Sequence, residues 1–263
     1  MLRSSDGFRL MDAVRLVLPK EHGSWSLALE PVTLGLLIAP SRAGIPLALA
    51  AAAGFFLRRP MKLLLPAKPE PRRALAASCT GTLLLLFGAG LWLAAELGGA
   101  TQLWPLVPTA LAGLLFIGFD ARETNRAGAA EMAGATAFAL LPAAFASLAG
   151  WRIECSLALA AVMLARSVPT VMLVRTFLRR RKGLSVKCWP AFLATMVASV
   201  ILFWLAAFSL VPWLVAAFSV LFIVRAAWYS SENTSRLTAR RLGYMELFLG
   251  VTMILIATVS WHL

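Results

Sequence analysis

Residues 153–182 read IECSLALAAVMLARSVPTVMLVRTFLRRRK. From Cys155 to Val174 the one charged residue is Arg166. A helix needs about 20 consecutive apolar residues to cross a bilayer core, and this run supplies them. It closes on FLRRRK, and lysine and arginine gather on the cytoplasmic flank of a spanning helix. This one stretch therefore predicts an element, its surroundings and its direction: a transmembrane helix that starts outside at Trp151 and Arg152 and ends in the cytoplasm.

The same pattern extends to both ends of the chain. Hydrophobic runs fall at 24–41, 43–58, 74–97, 102–119, 130–150, 153–175, 189–210, 211–229 and 242–262. They are separated by turn residues or charge, such as Pro40 with Ser41, Arg72 with Arg73, Gly98 with Gly99, and Gly150. Nine spans put 22 of the 25 lysines and arginines on the cytoplasmic side, leave Arg42 and Arg152 opposite, and leave Arg166 within a span. An even number of spans would scramble this bias. The expectation is an all-α polytopic bundle of about nine helices, N-terminus in the cytoplasm and C-terminus outside. Trp25, Trp104, Trp151, Trp189, Trp213, Trp228 and Trp261 fall near predicted span ends, where amphipathic rings prefer the headgroup level. Trp92 and Trp204 fall deeper.

Composition agrees. The 263 residues are 60% hydrophobic and 14% charged, with a mean hydropathy of +0.80, whereas soluble domains are about a quarter charged. The net charge of +13 follows from topology and does not point to nucleic acid. Cys79, Cys155 and Cys188 stand far apart with no CxxC, and His22 and His262 are the only histidines, so neither a disulfide framework nor a metal centre is expected. No GxxxxGK[ST] phosphate loop occurs.

Residues 1–23 form a unit of their own ahead of the membrane domain, 24–263. Phe8, Met11, Val14 and Leu18 recur at helical spacing, with Arg9, Asp12 and Arg15 elsewhere on the wheel. This predicts a short amphipathic helix on the cytoplasmic membrane surface, followed by the segment PKEHGSW, residues 19–25.

Ionisable residues inside a span are costly and face a cavity or a partner. His22, Ser26 and Glu30 are spaced i, i+4, i+8 and make one polar stripe, with Glu30 about 12 Å along the axis from His22. Pro31 disfavours helix at Glu30, so a break is expected there. Arg166 lies two to three turns from the cytoplasmic end of its run, with Pro169 offering a second break, and Arg175 is near enough to that end to reach water. A third group, Asp120, Arg122, Glu123, Asn125, Arg126 and Glu131, fills a short cytoplasmic connection. An acid near a helix N-terminus is also favoured by the dipole, which alone explains Glu131. Arg225 and Glu246 lie at similar depth in the last two runs and are expected to pair. Phe56-Leu57-Arg58-Arg59 and Phe177-Leu178-Arg179-Arg180 repeat FLRR at the cytoplasmic ends of the second and sixth runs. Guanidinium forks match phosphate oxygens, although basic flanking alone would also produce the repeat. All these groups lie on the cytoplasmic half, which predicts one cytoplasm-facing polar cavity. Glu30, Arg166 and Glu131 are the candidate catalytic residues. Glu21, His22, Arg58, Arg59, Asp120, Glu123, Asn125, Arg126 and Arg175 are the candidate substrate-binding residues.

PKEHGSW, FLRRP at 56–60, RETNRAGAAE at 122–131 and ARSVPTVMLVR at 165–175 resemble the YwiC-like family of bacterial membrane proteins. The resemblance implies the bacterial cytoplasmic (inner) membrane. The layout is also similar to the UbiA-type prenyltransferases, whose Asp-rich motifs after the second and sixth helices hold Mg²⁺ on a prenyl diphosphate. Here FLRRPMK and FLRRRKG stand in those places, so Mg²⁺ is not expected, and no other cofactor is. That resemblance implies a membrane lipid or isoprenoid (di)phosphate as ligand and a metal-independent prenyl or lipid transferase as the enzyme reading. A non-catalytic lipid- or quinone-binding or respiratory-complex assembly role, and a small-molecule transporter, are the alternatives.

Overall fold

A computed structural model describes residues 16, 18, 22–64, 72–121, 127–231 and 237–263. Among them are nine α-helices and no strand. They are α1 (His22–Ile38), α2 (Gly44–Leu64), α3 (Arg73–Gly98), α4 (Leu106–Ala121), α5 (Ala127–Leu148), α6 (Ile153–Arg181), α7 (Trp189–Ala207), α8 (Trp213–Ser230) and α9 (Ala239–His262). A 3-10 turn, Ala100–Leu103, precedes α4. Six helices, α3 and α5 to α9, are long and apolar enough to cross a membrane, while α1 and α4 are apolar but shorter. The protein is an all-α helical membrane protein. The surface helix expected over 1–23 lies largely outside the described residues.

Each hydrophobic run becomes one helix, with three differences. The helices α2 and α6 continue past their apolar cores through the FLRR clusters, to Leu64 and Arg181. Cations in a last turn face the negative end of the helix dipole and extend it. Pro31 and Pro169 do not interrupt α1 or α6, contrary to the expected breaks. A helical proline leaves the carbonyl four residues earlier without its bond, but packing by neighbouring helices tolerates this inside a membrane domain. Arg225, counted above among the cytoplasmic-side cations, sits inside α8 and is buried.

The centre of the bundle is α1, α5 and α6. Helix α1 packs on α2, α5, α6 and α9, while α7, α8 and α9 surround α6. Of the six spanning helices, α6 is the most buried and α3 the least. Small residues allow the close crossings. A Cβ at Gly90 on α3 would come within 2.7 Å of the Pro46 carbonyl on α2, and one at Gly35 on α1 would enter the Phe145 ring on α5. Large apolar side chains such as Leu85 and Phe248 point outward, which suits a lipid-facing surface.

Contacts between helix ends sort the molecule into two faces. At one face Arg58 of α2 meets Asp120 of α4, Arg175 of α6 meets Glu131 of α5, and Arg180 of α6 donates to the Ser230 carbonyl of α8. At the other, His262 of α9 bonds the Leu37 carbonyl of α1, Ser147 of α5 donates to Gln102, and Trp151 lies beside Trp261. Arg179, Arg180 and Arg181 close α6 on the first face, whereas Arg42 and Arg152 belong to the second. Among the described residues there is thus a basic face and a face nearly free of lysine and arginine.

Candidate functional site

Four charged side chains from four helices converge between the two faces. Glu30 comes from α1, Arg166 from α6, Arg225 from α8 and Glu246 from α9; their relative exposures are 6%, 2%, 5% and 6%. From the basic face, Glu30 lies about 12 Å in, Glu246 about 10 Å and Arg225 about 8 Å, counting 1.5 Å per residue along each helix.

Glu246 is the hub. Its Oε2 accepts from Arg166 Nη1 at 2.9 Å and from Arg225 Nη1 at 2.7 Å, and its main-chain carbonyl accepts from Arg166 Nη2 at 2.6 Å. Thr170, one turn after Arg166, donates its hydroxyl to the Arg166 carbonyl and accepts from Arg225 Nη1 at 3.1 Å. Both guanidinium carbons stand over the Phe222 ring, 5.7 Å away for Arg166 and 5.1 Å for Arg225. This contact stabilises desolvated cations. Glu30 is held more loosely. Its Oε1 accepts from the Ser26 hydroxyl and lies 3.5 Å from Arg166 Nη2. The helix α9 approaches it through Gly250, where a Cβ would collide with the Glu30 carboxylate.

With two cations and two anions, the quartet is neutral as a unit. That balance permits its burial, since an unpaired buried charge is costly. Its hydrogen bonding is incomplete, however. Arg166 Nε and Arg225 Nε and Nη2 are buried without a hydrogen-bond partner, while the Tyr229 hydroxyl lies against the Glu246 carboxylate. Unsatisfied buried donors are uncommon, and here three gather at one site. The site can offer donors to an acceptor ligand through Arg225.

The other sequence candidates lie elsewhere. Asp120 takes Lys62 at 2.9 Å and Arg58 at 3.3 Å, and Arg58 also lies over the Phe116 ring. Partial desolvation of Asp120 works against its charge, but hydrogen bonds from Lys62 and Arg58 outweigh it and hold the carboxyl below its ordinary range. Arg59 donates to the Leu18 carbonyl. Glu131 pairs with Arg175 at 2.9 Å on the half-exposed rim, apart from Arg166, and Gly128 leaves room for that guanidinium. The structure therefore joins Glu30 with Arg166 and separates Glu131 from both. Glu21, Glu123, Asn125 and Arg126 lie outside the described residues, as does the His22 side chain; His22 itself opens α1.

The two FLRR ends do not form one cradle, because α1 and α5 lie between α2 and α6. The quartet itself is buried, with none of its four residues more than 6% exposed. Two shallow, largely apolar hollows lie at the surface, one on α4 around Leu111, Leu115 and Phe119, the other on α9 around Tyr244 and Phe248. Among the described residues no group of three His, Cys, Asp or Glu side chains is placed to hold a metal. Sequence reasoning expected Arg225 to pair with Glu246 but did not join that pair to Arg166, and it missed Thr170 and Tyr229. Thr170 had a signal, since it follows Arg166 by one helical turn.

Neither a curated protein nor a solved structure matches the chain. A family model does, over residues 18–146, a stretch that holds Ser26, Glu30, Arg58, Asp120 and Glu131 and ends before Arg166. Over that stretch, which runs from α1 into α5, the chain is similar to the YwiC-like protein family.

Proposed function

We infer that the quartet binds the anionic head of a membrane-dissolved ligand, an isoprenoid or lipid phosphate, and that the basic face lies in the cytoplasm of a bacterial inner membrane. The observation that carries this reading is Arg225, which is buried on α8 with Nε and Nη2 unpaired, beside an Arg166 whose Nε is also unpaired. Guanidinium nitrogens in that state suit phosphate oxygens, which they bind in parallel pairs. Burial within the bundle favours a ligand that arrives through the bilayer over one arriving from water. The order of helices, with base-rich ends on α2 and α6, is similar to the UbiA-type layout and supports a prenyl chain. If turnover follows binding, it is a metal-independent transfer. Arg166 and Arg225 then stabilise the departing phosphate, and Glu30 orients the acceptor.

Calorimetry on the detergent-solubilised full chain tests the binding step, with farnesyl monophosphate, farnesol, inorganic phosphate and a short-chain quinone as ligands. Farnesyl monophosphate is expected to bind most tightly. Arg225→Gln is expected to weaken it at least about tenfold, because a charge-assisted hydrogen bond contributes about 1.5–3 kcal/mol. Equal binding of farnesol or the quinone would leave a neutral-lipid site, and equal binding of inorganic phosphate would remove the lipid from the reading.

A second reading, transport of a small polar molecule, is favoured by the draw of the quartet from four separate helices. Relative movement of α1 or α9 would open it. Uptake of a charged solute into proteoliposomes, abolished by Glu246→Gln, would establish that reading in place of the first.

A further inference from the structure

We propose that anion binding at the quartet is coupled to proton uptake by Glu30, so that each headgroup arrives with a proton. This rests on the phosphate-binding reading above and assigns how that site is regulated.

The argument starts from charge balance. Glu30, Glu246, Arg166 and Arg225 sum to zero, and all four are buried. A phosphate that engaged the free edge of Arg225 and the Nε of Arg166 would bring net negative charge into a region of low dielectric, where an uncompensated ion is strongly penalised. Among the described residues the binding arginines have no further cations behind them. Arg175 is already paired with Glu131, and Arg58 and Lys62 with Asp120, all at the rim. The smallest change that offsets part of that charge is to neutralise one of the resident carboxylates.

Geometry selects which one. Glu246 Oε2 accepts short bonds from both arginines, at 2.9 and 2.7 Å, and its own main chain holds Arg166 as well. Neutralising it would strip both guanidiniums of their shared counter-ion. Glu30 faces Arg166 alone, at 3.5 Å, and that same Nη2 already donates to the Glu246 carbonyl. Its other partner is the Ser26 hydroxyl, which serves a carboxylic acid as readily as a carboxylate. The charged and titratable groups near Glu30 are therefore Arg166 from α6, Arg225 from α8 and Glu246 from α9, with Tyr229 of α8 beyond Glu246. Helices α2 and α5 also pack on α1, but among the described residues they bring no charged group to Glu30. In the bound state Glu30 is a neutral acid donating to Ser26 or to the ligand, and Arg166 turns from it to the phosphate. The proton comes from the aqueous phase and no covalent bond between heavy atoms changes.

The test is calorimetric titration of the full chain in detergent with farnesyl monophosphate at pH 8, repeated in buffers of different ionisation enthalpy. At that pH the ligand is a dianion, its second ionisation lying near about pH 6. The wild type is expected to take up about one proton per ligand, and its affinity to fall about tenfold per pH unit once Glu30 is ionised. Glu30→Gln mimics the protonated acid, so it is expected to bind about tenfold or more tighter at pH 8, with no uptake from residue 30. Binding by the wild type without proton uptake would overturn the coupling and leave the phosphate site standing. Uptake that persists in Glu30→Gln would move the proton to Glu246 or the ligand and overturn the assignment. No binding of farnesyl monophosphate at all would remove the phosphate reading itself.

Discussion

At the scale of single residues, the quartet balances burial against neutrality. Arg166 and Arg225 are like charges that share Thr170, Phe222 and one carboxylate oxygen. Glu246 is what lets them coexist. Removing one partner from a buried ion network leaves the others uncompensated, typically at about 3–5 kcal/mol, whereas replacing a whole pair by apolar groups of similar volume is far milder. Glu246→Met is accordingly expected to destabilise the protein by an amount in that range, read as a lowered thermal midpoint in detergent. The double variant Arg225→Met with Glu246→Met is expected to recover much of the loss, because Arg166 then pairs with Glu30 alone and the site is neutral again. Purely additive losses in this cycle would show that Arg225 and Glu246 do not act as a pair. The pairing of these two was readable from their similar depth in sequence. Their union with Arg166 was not, because depth says nothing about which helices are neighbours around a bundle.

At the scale of helices, the sequence is legible where a hydrophobic run alone decides the outcome, and less so where packing does. All nine runs form helices, and α7 begins at Trp189 as expected. The ends of α2 and α6 were set too early because a basic cluster reads as a connection, while physically it completes the last turn. Pro31 and Pro169 read as breaks because local backbone preference is the only information a sequence gives; burial among neighbouring helices overrides it. The same distinction separates two glycines on α9. A Cβ at Gly243 would meet nothing within 4 Å, while one at Gly250 would strike the Glu30 carboxylate. Gly243→Ala is expected to be neutral or to stabilise by up to about 1 kcal/mol, through the better helix propensity of alanine. Gly250→Ala is expected to destabilise by about 1–3 kcal/mol, as overpacking does. Thermal melts of the two variants in one detergent decide it. If Gly250→Ala proves as mild as Gly243→Ala, α1 and α9 do not meet as described, and Glu30 loses its place in the quartet.

At the scale of the whole molecule, the two faces are unequal in charge, and that inequality orients everything else. The quartet lies between the two faces, so the side on which the basic face sits decides which leaflet and which aqueous phase serve the site. Lysine and arginine near helix ends are retained in the cytoplasm, which predicts that Arg152, before α6, is outside and Lys182, just after it, is inside. Both are exposed, and the 29 residues of α6 separate them. In a background with Cys79, Cys155 and Cys188 replaced by serine, Arg152→Cys is expected to react with a membrane-impermeant maleimide in intact cells. Lys182→Cys is expected to react only after the membrane is opened. The reverse pattern would invert the molecule, and ligand and proton would then reach Glu30 from the outer side. Labelling of both sites in intact cells would mean that α6 does not cross the bilayer, so that the buried quartet would owe its dryness to helix packing alone.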